Sequence, residues 1–356
     1  MTYWDHATIE RIRRGYYSAV YFNRTKHILE EEHDETPVTM QVFQWNDGSL
    51  LCGVSEALDL FRIGTGVWQE NRWLSKRRTL TISTLSDGDT IGSREPVMHI
   101  TGPYMYFAHL ESLYLGILAR RTMVGTNTRR VVEAANGKPV FFFADRFDDF
   151  SNQEGDGYAA HVGGAAGVCT FAHASRYKGV PIGTIPHALI AVSGGNTVKA
   201  TELFAKYIRG ANVVALVDFD NDCVGTSLAV AKSLGKKLWG VRLDTANNMI
   251  DASLAGAKRK KSDLYGVNSA LVKLVRTALN DNEYSHVKIL VSGGFNEEKV
   301  RWFEKEKTPV DGYGVGSALV HGNNDFTSDI VMVEGKKIAK AGRKYMTNER
   351  LKPTKL

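Results

Sequence analysis

His187 is the residue whose type and position first point to chemistry. It follows Pro186 at the end of a short β-rich segment, Val180 to Ile185, and precedes the apolar, helix-like run from Ala188 to Val192. Proline supplies no N–H and biases the residue before it towards extended geometry, so the strand is expected to end here. In α/β barrels, this end of a strand carries the chemistry. A structural histidine bonded to the backbone is the alternative interpretation.

Other apolar segments of the chain end in polar residues in the same way. VVALVD ends at Asp218, and LWGVRLD ends at Arg242 and Asp244. Parallel strands place their carboxyl ends at one edge, so these side chains are expected to meet there. The alternative for each carboxylate is a structural ion pair, because such pairs also bring charged groups together.

Two glycine segments near the end of the chain predict a phosphate site. Ser292-Gly293-Gly294 precedes a helical segment, and Gly314-Val315-Gly316 opens a second helix-like run. Glycine lets backbone N–H groups approach an anion, and a helix N-terminus adds the positive end of its dipole. The last two strand–helix loops of a barrel often bind phosphate. A plain turn is the alternative for either segment.

The elements that carry these residues predict the architecture. From Pro103 onwards, short apolar β runs alternate with helical stretches, which indicates parallel strands with right-handed crossovers. Six or more such units favour a closed or irregular (β/α) barrel over an open sheet. We therefore expect an α/β protein with three parts. A domain of helices and antiparallel strands covers residues 1–102, the barrel covers 103–322, and a C-terminal extension at 323–356 packs on the N-terminal domain.

Composition excludes several classes of protein. The 356 residues are 43% hydrophobic and 24% charged, as in ordinary globular proteins, and no apolar run reaches the length of a membrane span. The N-terminal stretch lacks the apolar core of a signal peptide, and the three cysteines are widely spaced. We therefore expect a cytoplasmic protein without a zinc site. The net charge of +6 is modest, and no aromatic-plus-basic motif supports nucleic-acid binding.

The ordered set of motifs resembles the nicotinate phosphoribosyltransferase family, which shares its fold with nicotinamide and quinolinate phosphoribosyltransferases. The matching pieces cover most of the chain: SAVYFNRT, GTIPHALI, VALVD, GVRLDT, ILVSGGFNEE and DGYGVGSAL. The resemblance implies an N-terminal α/β sandwich, an irregular barrel, and a homodimer with shared active sites. It also implies transfer of phosphoribosyl from phosphoribosyl pyrophosphate (PRPP) to nicotinate, with Mg²⁺ and with ATP as a co-substrate.

The resemblance assigns roles to the charged residues at the strand ends. His187 matches the histidine that ATP phosphorylates, and Asp218 matches the carboxylate that orients this histidine or serves the metal. Asp244 matches a carboxylate on the ribose or Mg²⁺ side, and Arg242 matches an arginine that contacts phosphate. Displacing pyrophosphate develops oxocarbenium-like charge on the ribose, so fixed charges and a metal suit the reaction. The identity of the metal ligands is left open.

The resemblance also implies a flat slot for the pyridine. Phe143 matches the ring that stacks on the base, Arg146 matches an anion contact, and Thr184 matches a further substrate contact. Tyr21 matches the tyrosine that closes the other face from the partner subunit, with Arg24 nearby. An aromatic pair contributes roughly 0.5–1.5 kcal/mol beyond the area it buries.

Some positions depart from the family pattern and leave alternatives open. Ala246 and Asn247 stand where many members carry a glycine and a second carboxylate. Ala166 stands where nicotinamide-specific relatives carry a carboxylate, which favours the acid over the amide. Nicotinamide and quinolinate remain alternative substrates, and a non-catalytic, nucleotide-binding regulatory barrel is the alternative of another class. The run from Lys258 to Lys261 is expected to be a solvated loop.

Overall fold

The structure is a computed structural model that describes residues 3–256 and 261–356. The chain divides into two units, Met1–Thr126 with Gly322–Leu356, and Asn127–His321. The predicted solvated run begins with Lys258, Arg259 and Lys260, which lie outside the described residues. Among the described residues, no helix is both long enough and apolar enough to cross a membrane.

The division at Thr126 differs from the expected boundary at residue 102. The chain continues beyond 102 into α4 (Glu111–Ala134), a single 24-residue helix. Leu110, which directly precedes this helix, and Tyr114 and Leu118 within it lie at a spacing of four and are fully buried in the core of the first unit. Because this start of the helix supplies core side chains, the first unit extends well past the last of its N-terminal strands.

Among the described residues, the first unit combines three helices and the start of α4 with an antiparallel sheet. Its helices are α1 (His6–Arg13), α2 (Val20–Glu31) and α3 (Val54–Gly64). Its strands are β1 (Pro37–Gln44), β2 (Ser49–Leu50), β3 (Gly66–Gln69), β4 (Arg72–Ser75), β5 (Thr81–Thr84), β6 (Thr90–Ile91), β7 (Met98–Pro103), β14 (Phe326–Val333) and β15 (Lys352–Thr354).

The main sheet of this unit has the order β14-β1-β7-β5-β15, so both edge strands come from the C-terminal part of the chain. β14 pairs with β1 from Val38–Val333 to Gln44–Phe326, and β15 pairs with β5. The segment expected to pack on the N-terminal domain therefore contributes two strands to its sheet. Apolar side chains such as Met40, Ile82 and Ile100 form the core beneath the sheet.

The second unit alternates strands and helices as the sequence predicts. Its strands are β8 (Val140–Phe142), β9 (Gly167–Val168), β10 (Val214–Leu216), β11 (Gly240–Leu243), β12 (Lys288–Val291) and β13 (Gly312–Val315). Its helices are α5 (Gln153–Val162), α6 (Phe171–Ser175), α7 (His187–Val192), α8 (Thr197–Tyr207), α9 (Cys223–Leu234), α10 (Ser269–Asp281) and α11 (Glu297–Lys305).

The six strands described in this unit form one parallel sheet in the order β10-β11-β12-β13-β8-β9. The parallel strands are confirmed, but a closed barrel is not seen: within the described ranges, β9 and β10 each pair on one side only. The strand predicted at Val180 to Ile185 is irregular backbone, with one bond from Ile182 N–H to the Val168 carbonyl at 2.8 Å. Pro181 and Pro186 supply no N–H, which explains why this segment does not complete the sheet.

Candidate active site

The carboxyl ends of the parallel strands open into a cavity of about 650 Å³ that lies within the second unit. Most of the predicted site residues line it: Phe143, Arg146, Thr184, His187, Arg242, Asp244, Ser292, Gly293, Gly294, Gly314 and Gly316. They come from loops that are far apart in sequence. The parallel arrangement brings them together, as strand ends do in α/β folds.

His187 is the first residue of α7 and pairs with Asp218, which follows β10. His187 Nε2 lies 3.0 Å from Asp218 Oδ2, with the imidazole 45% exposed and the carboxylate side chain 8% exposed. Burial raises the pKa of Asp218 above its usual range. The hydrogen-bonded His187 opposes this rise, and the charge of Asp244 adds to it. The other imidazole nitrogen, Nδ1, does not face Asp218.

Asp244 follows β11 and completes a cluster with this pair. One ligand atom each from His187, Asp218 and Asp244 lie within 4.8 Å of one another. Asp218 Oδ1 is buried without a hydrogen-bond partner among the described residues, whereas Asp244 Oδ1 accepts a bond from Ser292 Oγ at 2.6 Å. Two carboxylate oxygens and one imidazole nitrogen form a donor set that a divalent cation accepts.

Arg242 lies in β11 and points across the sheet edge. Its Nη1 donates to Thr184 Oγ1 at 2.5 Å, and its Nη2 lies 3.9 Å from Asp244 Oδ2. Its guanidinium carbon is 5.8 Å from the centre of the Phe143 ring. Burial lowers the pKa of Arg242, while Asp244 and Asp218 raise it. Since its Nε also has no partner among the described residues, Arg242 retains capacity to bind an anion.

The Ser292-Gly293-Gly294 loop joins β12 to α11 at the edge of the cavity. Gly293 and Gly294 have φ of +87° and +68°, a conformation that glycine adopts without steric cost. A Cβ on Gly294 would lie 2.4 Å from Asn247 Nδ2. Asn296 caps the helix by accepting from Lys299 N–H at 2.9 Å. The loop therefore has the geometry of an anion site at a helix N-terminus.

Gly314 and Gly316 also line the cavity, but the structure gives them a separate reason to be glycine. A Cβ on Gly314 would lie 2.7 Å from the Phe143 ring, and one on Gly316 would lie 2.4 Å from the Phe147 ring. Gly314 belongs to β13, and only a three-residue 3₁₀ turn, Ser317–Leu319, follows. The prediction of a helix here is therefore wrong, because the chain forms a single 3₁₀ turn and does not continue as a helix.

Three predicted residues do not line this cavity: Tyr21, Arg24 and Asp218, whose largely buried carboxylate pairs with His187 instead. Tyr21 and Arg24 lie on α2 in the first unit, and both are exposed, Tyr21 by 63%. Phe143 and Arg146, by contrast, face the cavity, with the Phe143 ring stacked on Phe141 at 6.2 Å between ring centres. A slot with one aromatic wall is thus present in this chain.

The cavity contains residues that sequence reasoning gave no role. Cys169 lines it, and its thiol donates to Asp145 Oδ1 at 3.3 Å, while burial raises the pKa of this thiol to about 12. Ala166, the position weighed for substrate choice, is absent from the lining. The signal for Cys169 was its place directly after β9, at the carboxyl end of a strand. Asn247, noted only as a departure, also lines the cavity.

Comparison with known proteins agrees with the fold. The family model described as quinolinate phosphoribosyl transferase, N-terminal domain, matches residues 19–122. A curated relative, a nicotinate phosphoribosyltransferase of Mycobacterium tuberculosis, is 29% identical over 257 residues, covering 70% of this chain and 52% of the relative. The chain thus spans about half the length of the curated relatives it matches.

Two solved structures extend this comparison to nearly the whole chain. Human nicotinic acid phosphoribosyltransferase shares the fold, with a TM-score of 0.65 at 15% identity over 90% of this chain and 75% of that one. A nicotinate-nucleotide pyrophosphorylase from Pyrococcus furiosus has a TM-score of 0.79 and 32% identity, covering 96% of this chain and 82% of that one. By its sequence, its parallel sheet and the residues gathered at the strand ends, the chain belongs to the type II phosphoribosyltransferase family, which includes the nicotinate and quinolinate phosphoribosyltransferases.

Proposed function

We propose that the protein transfers the phosphoribosyl group of PRPP to nicotinate, giving nicotinate mononucleotide and pyrophosphate in NAD salvage. One observation carries the proposal. Within a single cavity, a glycine loop suited to phosphate lies beside the carboxylates of Asp145 and Asp244, a half-buried arginine and a half-buried aromatic ring. These are the groups needed to hold a phosphorylated sugar with a flat, charged base against it.

The reaction forms a bond between the pyridine nitrogen and the anomeric carbon of ribose while the bond to pyrophosphate breaks. Positive charge develops on the sugar, and Asp244 is the carboxylate that would bind the ribose hydroxyls and stabilise that charge. Ser292 Oγ, at 2.6 Å, fixes the Asp244 carboxylate. Phe143 supplies the face on which the pyridine stacks, and Arg242 donates to an anionic group of the substrates.

Mg²⁺ fits this cluster, since Asp218 Oδ1 is a buried carboxylate oxygen without a partner among the described residues. Asp218 and Asp244 are the residues that would hold it. The metal would supply positive charge for the leaving pyrophosphate. The protein's own part is to orient both carboxylates, which His187 and Ser292 do through their hydrogen bonds.

ATP as a co-substrate is part of the proposal, with His187 as the phosphoryl acceptor. Asp218 accepts from Nε2, which leaves Nδ1 to attack the γ-phosphorus of ATP as the bond to ADP breaks. The 45% exposure of the imidazole supports access to this nitrogen. A phosphoryl group adds about two negative charges next to the leaving-group site, which couples ATP hydrolysis to PRPP binding.

We also propose a homodimer in which the partner subunit's α2 closes the pyridine slot. The 63% exposure of Tyr21, together with exposed Arg24 in the next turn, supports a role for this face in binding outside its own subunit. Mixing Tyr21→Ala with Asp244→Ala protein should then restore part of the activity. Absence of rescue, under conditions where subunits exchange, would count against a shared site.

Nicotinate is the proposed base because Arg146 lines the cavity as an exposed cation that can bind its carboxylate. A specific observation favours the nicotinamide alternative: the Asp145 carboxylate also lines the cavity and could accept from an amide. The match to a quinolinate phosphoribosyltransferase domain keeps that acid as another candidate. Its second carboxylate needs more positive charge, and the cations described in the lining are Arg146 and Arg242.

Pyrophosphate release from PRPP with nicotinate, nicotinamide and quinolinate in turn tests the proposal. We expect nicotinate to give the highest kcat/KM, by roughly tenfold, because a hydrogen bond to an ionised group is worth about 1.5–3 kcal/mol. Asp244→Asn protein is the matched control for contaminating activity. A preference for another pyridine would reassign the substrate. No release with any pyridine, with or without ATP, would favour a non-catalytic barrel.

A further inference from the structure

A partly buried cation lies behind the glycine loop of the cavity. Lys299 is the third residue of α11, and its Nζ donates to the Gly293 carbonyl at 3.3 Å. The same Nζ lies 4.4 Å from the centre of the Phe295 ring, and Phe295 is 3% exposed. The long side chain therefore folds back from the helix and places its charge against the loop rather than in solvent.

Within the described ranges, this ammonium has no carboxylate partner, and its polar contact is the single carbonyl of Gly293. Burial lowers the pKa of Lys299 to about 8. Partial burial of a cation without a counter-charge costs free energy, and one backbone carbonyl with an aromatic face offsets only part of that cost. An anion bound at the loop would supply the missing negative charge.

The contact also orients the loop. In a trans peptide, the carbonyl of one residue and the N–H of the next point in opposite directions. Holding the Gly293 carbonyl towards Lys299 therefore turns the Gly294 N–H away from the lysine. The N–H groups of Gly293, Gly294 and Phe295 donate to no atom of the described residues, so they remain available to a ligand.

We propose that Lys299 is a positioning residue for the phosphate group of the substrate. It acts from behind the loop, by fixing the Gly293–Gly294 peptide and by supplying the counter-charge, without touching the substrate. The inference rests on the proposed function, since it takes the bound anion to be the phosphate of a phosphorylated ribose. It also predicts that Lys299 contributes nothing to the stability of the ligand-free protein.

The chain offers a matched control for this lysine. Lys199 occupies the equivalent third position of α8, where its N–H also donates to an asparagine cap, Asn196, at 2.9 Å. Its side chain is exposed, and no hydrogen bond or ion pair fixes it among the described residues. Lys299→Met keeps the aliphatic stem and removes the charge, Lys299→Arg restores the charge, and Lys199→Met removes the same charge from the equivalent position.

The test measures binding of ribose 5-phosphate and of inorganic phosphate by calorimetry, with thermal unfolding of each protein without ligand. We expect Lys299→Met to weaken ribose 5-phosphate roughly tenfold, Lys299→Arg to recover most of the loss, and Lys199→Met to change nothing. The ligand-free melting temperature of Lys299→Met should equal or exceed that of the wild type. In turnover, KM for PRPP should rise about tenfold while KM for the pyridine stays the same.

Unchanged binding by Lys299→Met, equal losses in Lys299→Met and Lys199→Met, or a lower ligand-free melting temperature would each overturn the inference. Failure of the wild type to bind either anion would overturn it as well. Because these probes need no turnover, the two proposals fail separately. If ribose 5-phosphate binding depends on Lys299 but no pyridine gives pyrophosphate, the assignment of Lys299 is supported and the proposed reaction is refuted.

Discussion

The second unit contains two Ser-Gly-Gly loops, and only one of them lies in the candidate active site. Ser193-Gly194-Gly195 leads into α8 and Ser292-Gly293-Gly294 leads into α11, and all four glycines have positive φ. Each helix is capped by an asparagine that accepts from a lysine N–H. The loops thus share sequence, backbone conformation and capping, and they differ in their surroundings.

The surroundings differ mainly in charge. The first loop borders a smaller cavity of about 440 Å³, together with Asp220 and Asp222, and no cation lines it among the described residues. The loop at Gly293 borders a cavity that contains Arg242, and Lys299 lies behind it. A glycine loop at a helix N-terminus is therefore insufficient to define a phosphate site. The positive charges around the loop determine whether it can bind phosphate.

Alanine at the glycine two residues before each asparagine cap is the change that separates the two loops most strongly. Both Gly294→Ala and Gly194→Ala should cost about 1–2 kcal/mol of stability, since both residues have positive φ. A Cβ at Gly194 meets nothing within 4 Å, whereas one at Gly294 meets Asn247 in the cavity. We expect kcat/KM for PRPP to fall on the order of 100-fold for Gly294→Ala and less than twofold for Gly194→Ala. Equal losses would show that the two loops have equivalent roles.

His187→Asn tests whether ATP coupling belongs to the cavity. Asparagine can still hydrogen-bond to Asp218 but cannot accept a phosphoryl group. We expect ATP to lose its effect on PRPP binding, roughly 50-fold within the usual range of coupling, while ATP-independent synthesis persists at high substrate. Incubation with γ-labelled ATP should give an acid-labile, base-stable label on the wild type only. The exposed His161 provides the control His161→Asn. Normal coupling in His187→Asn would refute the phosphohistidine assignment.

Ser292→Ala removes the hydrogen bond that holds Asp244 in place. The bond, at 2.6 Å, is to a charged acceptor, so its loss should lower kcat/KM about tenfold. Ser193→Ala makes the same change in the other loop and should have no effect on kinetics. Steady-state assays of both variants, with circular dichroism to verify folding, would check this. A larger loss in Ser193→Ala would mean that the other loop carries the chemistry.

The smallest expected effect is on pH dependence. The pKa of Lys299 is about 8, lowered by burial, so the lysine is protonated below that pH and loses its charge above it. The described groups that contact it are the Gly293 carbonyl and the Phe295 ring, neither of which titrates. Ribose 5-phosphate affinity should therefore fall roughly fivefold from pH 7.5 to 9.5 in the wild type. Lys299→Arg should show a flat profile, and a falling profile in that variant would assign the titration elsewhere.

Much of the site could be predicted from the sequence because parallel strands impose it. Apolar runs that end in Asp218, Arg242, Asp244 or Ser292 must deliver these side chains to one edge once the strands are parallel. The number of strand–helix units predicts a closed barrel. Pro181 and Pro186 prevent this closure, because they remove hydrogen-bond donors from the segment that would have closed the sheet.

Other features depend on contacts that periodicity does not reveal. The need for glycine at 314 and 316 comes from the rings of Phe143 and Phe147, which are distant in sequence and meet β13 only through the fold. The partial burial of Lys299 likewise has no signal in the sequence, since Lys199 occupies an equivalent position and is exposed. Local patterns predicted which segments would form elements, and tertiary packing determined which polar residues became functional candidates.

The position of β14 and β15 at the two edges of the first sheet has a consequence for synthesis on the ribosome. Strands β1, β7 and β5 emerge early, but their outer partners follow only after the whole second unit has been translated. At about 5–20 residues per second, that delay is roughly 10–45 s, during which a three-stranded sheet exposes two unpaired edges. We therefore expect the nascent N-terminal segment to bind holding chaperones, and slower translation or higher temperature should increase aggregation before the last strands are synthesised.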